Sequence, residues 1–381
     1  MKKNVVLPLI IFATLLFSSN AFGFNNLDDV VEVQQYTRAI HIMAMLLVGF
    51  GFLMVFVKNY GRSALTATFL LVSVAIPFYF LVADAGWFIH EKSQIEMLIL
   101  AEFAAAGLLI ASGAVLGRMK MYQYIILALL FVPFYMFNEW AILDNGLGLI
   151  SGKFADTGGS IIIHAFGALF GLGVAIAMTK KKELEIPIEA DATSDRYSML
   201  GSMVLWIFWP SFCAALVPTA DIPNAVINVI FALSGSTLAT YIMSVWLRGK
   251  INIADIANAA LAGGVAIGAT VDFATHPMAL LIGVMAGVLS TAGFALLQSR
   301  QQKALKAIDT CGVTNLHGLP GLMGGFAAIF VVKGINTGSQ VIGILFTVVT
   351  ALITGYITGK IISLFGHRKR PYEDKVEFED A

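Results

Sequence analysis

Charged residues are scarce in this sequence. Asp, Glu, Lys and Arg make up only 13% of its 381 residues, whereas a typical soluble domain carries about 25%. Hydrophobic residues make up 58%, and the mean hydropathy is +0.82. This balance excludes an ordinary soluble domain and indicates a chain that crosses a lipid bilayer several times. The formal net charge is zero, so no nucleic-acid partner is predicted.

Cysteine is also scarce, and the common metal-binding motifs are missing. Cys213 and Cys311 lie in different segments and form no CxxC, so neither a disulfide framework nor a zinc knuckle is predicted. There is no HExxH motif, and a catalytic zinc site normally takes at least three protein ligands. An intramembrane metalloenzyme is therefore disfavoured, and we predict no enzymatic activity, no metal and no cofactor. Four histidines are expected near the membrane faces: His41, His90, His276 and His367.

The N-terminus has the pattern of a signal peptide. Lys2 and Lys3 precede a short apolar run from Val5 to Phe17, and small residues follow around Ala21. Such a run is too short and wrongly flanked for a stable membrane span. We predict a signal peptide over residues 1–23, whose cleavage leaves the mature N-terminus outside; an uncleaved extra helix is the alternative.

The rest of the chain predicts an all-α polytopic membrane protein. A membrane span needs about 20 mostly apolar residues, and eleven such segments follow the signal peptide. They lie near residues 38–58, 63–85, 95–117, 121–143, 159–179, 197–218, 223–246, 253–272, 277–298, 313–333 and 338–365. We predict one membrane domain over residues 24–366 and a cytoplasmic tail over 367–381. For that tail, a solvated state is favoured over contact with neighbouring subunits or a regulator.

Basic residues support this count of spans. With the N-terminus outside, the loops and tail predicted to be cytoplasmic are rich in Lys and Arg, whereas external positions hold only Arg38, Lys92, Lys153 and Lys333. The positive-inside rule therefore places the C-terminus in the cytoplasm. The signal peptide pattern together with the polytopic topology predicts a plasma (inner) membrane. Several acidic residues fall outside, either as ordinary loop charge or as a mouth that attracts cations: Asp84, Glu91, Glu96, Glu139 and Asp144.

One motif occurs twice. DTGGSIIIHAFGALFG spans residues 156–171 and DTCGVTNLHGLPGLMG spans residues 309–324, and both read D-T-x-G-x4-H-x6-G. The first copy opens predicted span five and the second opens span ten, so the copies enter the membrane from opposite sides. This predicts a 5+5 inverted-topology repeat plus an extra C-terminal helix, with the functional site between the two halves near the membrane centre.

The motif histidines are the candidate site. His164 and His317 each lie eight residues after the motif Asp, which is about 12 Å of helix, close to half of a hydrocarbon core about 30 Å thick. Entering from opposite faces, the two imidazoles can meet at the centre. Burial keeps them neutral, and a neutral pair can hydrogen-bond to itself or to a small molecule that carries hydrogens. We favour this pore role over two buried packing histidines.

The motif aspartates are predicted to cap helices. Asp156 and Asp309 stand just before their helices, where a carboxylate accepts hydrogen bonds from free backbone N–H groups. Asp156 is also a candidate for stabilising a cation at the outer end. The motif glycines are expected to allow close helix packing.

These motifs resemble the histidine signatures of the ammonium transporter/Rhesus superfamily, specifically its Rh branch. SDRYSMLGSMVLWIFWPSF, NAALAGGVAIG and LAEFAAAGLLIASGAVLG are similar to further Rh-type segments. The resemblance implies a homotrimer with one narrow pore in each subunit, conducting ammonia or ammonium without ATP or a prosthetic group. Methylammonium is a further candidate substrate. The resemblance also implies that His164 and His317 are the pore pair, that Phe103 and Phe212 form an outer gate, and that Asp156 is the family's acidic residue.

Two departures from the family pattern refine that expectation. Cys213 stands where Rh proteins commonly have Asn, and Trp140 is not in the motif that supplies a Trp-and-Ser recruitment site in the Amt branch. Weak recruitment of ammonium favours a passive facilitator. A carbon dioxide channel, an electrogenic ammonium transporter and a non-conducting sensor are the alternatives.

Overall fold

The computed structural model describes residues 27–88 and 92–379. The predicted signal peptide, together with His90 and Glu91, lies outside these residues. Within them the chain forms helices and no strand. In chain order the helical rods are α1 (27–56), α2 (Gly61–Asp84), α3 (Gln94–Ala114), α4 (Met121–Leu143), α5 (Ser160–Met178), α6 (Ala192–Cys213), α7 (Ile222–Arg248), α8 (Ile253–Thr270), α9 (His276–Leu305), α10 (314–331) and α11 (Thr337–Leu364).

Nine of these described helices are long and apolar enough to cross a membrane, all except α6 and α10. The two exceptions occupy predicted spans six and ten, and they are more polar: α6 carries Asp195 and Arg196 near its start, and α10 carries Asn315 and His317. The chain is thus a multi-pass membrane protein, while eleven spans and a 5+5 inverted repeat stay a prediction.

Several helix boundaries differ from the prediction. Helix α1 begins at Leu27, before the predicted start at residue 38, and α9 continues to Leu305, past the predicted end at residue 298. The prediction counted apolar residues only, but a helix that leaves the hydrocarbon region can continue with polar side chains in water. Helices α1 and α9 are therefore longer than the predicted apolar spans.

The interior of the bundle is built from helices rich in small residues. Most residues of α3, α5 and α8 are buried, whereas α2, α9 and α11 bury fewer than half of theirs. Ala and Gly let backbones approach closely where no hydrophobic force acts between helices. Large apolar side chains cover the outside instead; Phe330 is 87% exposed, Leu364 84% and Trp246 74%. Such a surface suits lipid or another subunit and not water.

The two motif copies have the same local structure. Gly159 and Gly312 both adopt a positive φ, +76° and +65°, a conformation open to glycine at little cost. Each is followed within two residues by a π-helical segment, Ser160–Ala165 or Thr314–Gly318, which contains the motif histidine. Single π-helical turns inside α-helices occur frequently at functional sites.

The C-terminal tail is packed onto the protein, so the interpretation of a solvated tail was wrong. Arg368 is 4% exposed, and its guanidinium donates to the Met119 carbonyl at 3.2 Å. The Tyr372 N–H donates to the Gly117 carbonyl at 3.0 Å. The Asp374 carboxylate accepts from the first N–H groups of α2, those of Arg62 at 3.0 Å and Ser63 at 2.8 Å. The charged side chains of Arg368 and Asp374 thus bind backbone groups that are far away in the sequence. Composition alone does not reveal such contacts.

Candidate functional site

His164 and His317 meet in the protein interior. They are 2% and 3% exposed, their Nδ1 atoms are 3.2 Å apart, and their rings are nearly parallel, at 12° with centroids 5.2 Å apart. A hydrogen bond between two Nδ1 atoms needs one donor and one acceptor. It therefore fits two neutral imidazoles in opposite tautomers and excludes two imidazolium ions.

This arrangement leaves both Nε2 atoms for other partners. The ring that donates through Nδ1–H keeps a lone pair on Nε2, and the ring that accepts carries Nε2–H. His164 Nε2 is buried and has no hydrogen-bond partner among the described residues. The pair thus offers one acceptor and one donor, and exchanging the tautomers exchanges their positions.

An aromatic ring stacks beside each imidazole. Trp209 of α6 lies against His164, with centroids 5.5 Å apart at 21°, and Phe50 of α1 lies against His317, at 6.3 Å and 25°. Sequence analysis singled out neither residue. A signal existed for Trp209, which lies three residues before Phe212 and hence on the same helix face.

Phe103 and Phe212, the predicted gate, are in contact. Their centroids are 4.8 Å apart at 53°, and they are only 4% and 2% exposed. Phe212 also lies 5.9 Å from the His164 ring. The two rings therefore separate the histidine pair from the space on the far side of Phe103.

That space is a cavity of about 240 Å³, here called the vestibule. Its lining includes Phe103, Tyr135, Glu139, Asp156 and Leu216. Glu139, which the sequence placed outside among the external acids, is 2% exposed. Its carboxylate accepts hydrogen bonds from the hydroxyls of Tyr79 at 2.7 Å and Tyr135 at 3.3 Å. The vestibule is the polar end of the site because two carboxyl groups line it.

Asp156 both caps α5 and lines the vestibule. Its carboxylate accepts the N–H groups of Ile161 at 3.0 Å and Ile162 at 2.8 Å. Burial raises the pKa of Asp156 to about 7, against the opposing effect of these backbone hydrogen bonds. The charge at this position therefore changes near neutral pH.

Asp309 makes the equivalent cap in the second copy. Its carboxylate accepts from the N–H groups of Val313 and Thr314, both at 2.9 Å. Burial raises the pKa of this carboxyl too. Asp309 does not line the vestibule, so the two aspartates share the cap and differ in what they face.

A second, much smaller cavity lies on the other side of the histidine pair. It has a volume of about 20 Å³, here called the small cavity, and His317 and Phe50 line it together with Met54, Leu109 and Cys311. A space of this size holds about one water molecule. Contacts thus run without interruption from the vestibule through Phe103, Phe212, His164 and His317 to the small cavity.

The two departures from the family pattern have distinct positions. Cys213 is fully buried beside the gate, and its Sγ contacts the Gly264 carbonyl at 3.9 Å. Trp140 packs on Phe88 and Phe137, with centroids 5.6 and 6.2 Å away, and it does not line the vestibule.

Within residues 27–88 and 92–379, no group of three or more His, Cys, Asp or Glu side chains is placed to hold a metal ion.

Comparisons with known proteins agree with one another. The model of the Ammonium Transporter Family matches residues 5–381. The ammonium transporter Rh type A of Bos taurus is 37% identical over 362 residues, which cover 92% of this chain and 83% of that protein. Rh type B of Oryctolagus cuniculus is 41% identical over 302 residues, covering 76% and 64%.

Solved structures give the same result. The structure of Nitrosomonas europaea Rh50, described with the mechanism of conduction by the Rhesus protein family of channels, has a TM-score of 0.91 and 52% identity, covering 93% of this chain and 94% of that one. A sensor Amt protein has a TM-score of 0.76 at 19% identity, covering 88% and 93%. At that identity the likeness shows the fold alone.

Proposed function

We propose that this chain, which belongs to the ammonium transporter family and to its Rh branch, is a passive channel for ammonia. The observation that carries this proposal is the order of the contacts. A vestibule lined by carboxyl groups leads to two phenylalanine rings, then to two hydrogen-bonded imidazoles, then to a cavity of about 20 Å³.

The vestibule suits ammonium, and the gate suits ammonia. Asp156 and Glu139 line the vestibule, and carboxylates at a concave mouth raise the local concentration of cations. Phe103 and Phe212 offer an approaching cation no polar group in exchange for its water, and an unpaired charge in an apolar site is costly. Ammonium therefore transfers its proton to water in the vestibule, which returns it to the outer solution, and ammonia passes the rings. Potassium has no proton to leave and is excluded.

The imidazole pair then lowers the barrier for ammonia. Burying a polar molecule without a hydrogen bond costs roughly 1–3 kcal/mol, and the Nε2 atoms of His164 and His317 supply one donor and one acceptor along an otherwise apolar path. Because both rings are neutral, they bind ammonia weakly, and weak binding permits release. Transport is then electrically silent and follows the ammonia gradient.

The second candidate is net ammonium transport. The 3.2 Å contact between the two Nδ1 atoms is also a path along which a proton could cross while ammonia crosses separately. Transport by that route would be electrogenic.

We also propose a homotrimer in a plasma (inner) membrane, with the N-terminus outside and the C-terminus cytoplasmic. The excess of Lys and Arg in the loops on the tail side supports this orientation, and exposed apolar residues such as Trp246 support burial against lipid or a neighbouring subunit.

Stopped-flow measurement of internal pH in proteoliposomes tests the proposed function. After an inward ammonium jump with valinomycin present to clamp the voltage, we expect internal alkalinisation faster than in empty liposomes. An equal rate from folded protein contradicts ammonia conduction and leaves carbon dioxide conduction or a sensor role to be tested.

A further inference from the structure

The small cavity brings together three side chains that favour soft metal ions. Met54 from the end of α1, Cys311 from the loop before α10 and His317 from the π-helical turn all line it. They supply a thioether sulfur, a thiol sulfur and an imidazole nitrogen. Sulfur ligands select soft cations such as Cu⁺, and imidazole is compatible with them. The proposed ammonia path uses the imidazole and assigns no role to the two sulfur atoms.

Other contacts engage these three donor groups only in part. The hydrogen bond between His317 and His164 uses Nδ1, so Nε2 of His317 is not engaged in it. Met54 Sδ has one long contact, with the Ser112 hydroxyl at 4.0 Å. Cys311 is partly exposed and forms no disulfide. Its Sγ lies 3.4 Å from the position that a Cβ added to Gly113 would occupy.

The size and polarity of the cavity restrict the ion. Its volume of about 20 Å³ holds one water-sized occupant, and the rest of its wall is apolar except for Asn258. Hard cations such as Mg²⁺ need several oxygen ligands or retained waters, and Asn258 supplies the one side-chain oxygen among the described lining residues. A soft ion can exchange its water for sulfur and nitrogen.

Charge balance decides between monovalent and divalent ions. When the Cys311 thiol binds a metal, its proton passes to water and the sulfur becomes a thiolate. A thiolate with a monovalent cation is neutral overall, whereas a divalent ion such as Zn²⁺ leaves a net positive charge in an apolar site, at considerable cost.

We propose that the small cavity binds one soft monovalent d¹⁰ cation, Cu⁺ or Ag⁺, through Met54 Sδ, Cys311 Sγ and His317 Nε2. The bound ion fills the cavity and blocks the path beyond the histidine pair. That consequence rests on the proposed function, whereas the binding itself does not.

Burial raises the pKa of the Cys311 thiol well above its usual value, and the nearby Asp309 carboxyl adds to this effect. Alkylating reagents that need a thiolate should therefore react slowly. Silver must displace the proton, so its affinity should rise with pH.

Silver binding to the purified full-length protein tests the site. In detergent and chloride-free nitrate buffer, equilibrium dialysis with elemental analysis should find one tightly held Ag⁺ in each wild-type chain. Cys311→Ser should weaken that binding by at least about 100-fold, and Met54→Leu, which keeps the volume, by about 10-fold. Cys213→Ser is the matched control, because Cys213 is fully buried and lies outside the cavity; it should bind like the wild type.

The proposal is overturned if Cys311→Ser binds silver as tightly as the wild type, or if Cys213→Ser loses it to the same extent. Should Cys311→Ser fail to fold, Met54→Leu still tests the proposal. Wild-type silver affinity in Met54→Leu would show that the Met54 thioether does not bind the ion.

A second readout separates this proposal from the proposed function. With Ag⁺ on both sides of proteoliposomes, ammonia flux should fall several-fold in the wild type and in Cys213→Ser but not in Cys311→Ser. Silver binding without any ammonia flux in the wild type would contradict the channel and leave the site standing. Flux with no silver binding would contradict the site alone.

Discussion

The two copies of the motif have the same local structure but different surroundings. Each has a carboxylate on the first helical N–H groups, a glycine with positive φ and a histidine in a π-helical segment. The surroundings then diverge. The first copy faces a vestibule of about 240 Å³ with two carboxyl groups, whereas the second faces a cavity of about 20 Å³ lined by sulfur and apolar groups.

This difference separates two tasks. The shared elements bring two imidazoles to within 3.2 Å of one another, and this requires the same backbone geometry from both sides. The unshared elements give the two ends of the path different chemistry: two carboxyl groups line the vestibule, whereas the small cavity is mainly apolar and has two sulfur atoms in its lining. Substitutions in shared elements should therefore affect both ends, and substitutions in unshared elements only one.

The largest effect is expected from removing both imidazoles. In His164→Ala with His317→Ala, ammonia loses its hydrogen-bond partners in the apolar path. A loss of roughly 1–3 kcal/mol corresponds to a flux about 5- to 140-fold lower, measured as the alkalinisation rate in proteoliposomes. His276→Ala is the control, since His276 begins α9 and its ring lies 5.3 Å from that of Phe231, away from the pair.

Wild-type flux in the double variant would remove the imidazoles from the mechanism. Unequal single variants would sharpen the comparison: a larger loss in His164→Ala would place the main barrier on the vestibule side, and a larger loss in His317→Ala would place it at the small cavity.

A smaller effect is expected at the gate, because Phe103 and Phe212 lie only at the vestibule end of the path. Phe212→Ala removes a ring that lies 4.8 Å from Phe103, so the larger methylammonium should gain over ammonium by about a few-fold, as expected when a hydrophobic pocket changes by a few methylenes. Competition between the two substrates measures this ratio. Phe330→Ala, which alters a ring that is 87% exposed, should leave the ratio unchanged, and an unchanged ratio in Phe212→Ala would contradict the gate.

The last expected effect is on stability and should be similar in both copies. Gly159→Ala and Gly312→Ala place a Cβ too close to the side chains of Ile163 and Phe294, respectively, and add backbone strain of about 1–2 kcal/mol. Both should lower the melting temperature measured by thermal scanning. Gly334→Ala is the matched control, since its φ is +73° but no atom lies within 4 Å of the added Cβ. A loss no larger than this control's would show that close packing is not needed at the motif glycines.

The sequence predicted the parts that repeat or that have a strong local signal. The duplicated motif was sufficient to predict that His164 and His317 meet. Two helices that enter the membrane from opposite faces bring residues at equal depth together near its centre. Phe103 and Phe212 came only from the family resemblance, since a phenylalanine in an apolar helix is otherwise an ordinary packing residue.

Long-range polar contacts were not predictable. Glu139 is buried because the Tyr79 hydroxyl, 60 residues away, donates to it, and the tail is docked because Asp374 caps α2, more than 300 residues earlier in the chain. The two sulfur ligands proposed at the small cavity, Met54 and Cys311, also come from opposite ends of the chain. No spacing or periodicity in the sequence joins such pairs.

The most direct test of the central claim is the charge moved for each ammonia translocated. Solid-supported membrane currents and internal pH, recorded on the same wild-type proteoliposomes after an ammonium jump, give that ratio. A neutral imidazole pair that conducts ammonia predicts fast alkalinisation with a current no larger than that of empty liposomes. One charge for each ammonia, lost in the double histidine variant, would contradict silent conduction and establish that a proton crosses along the pair.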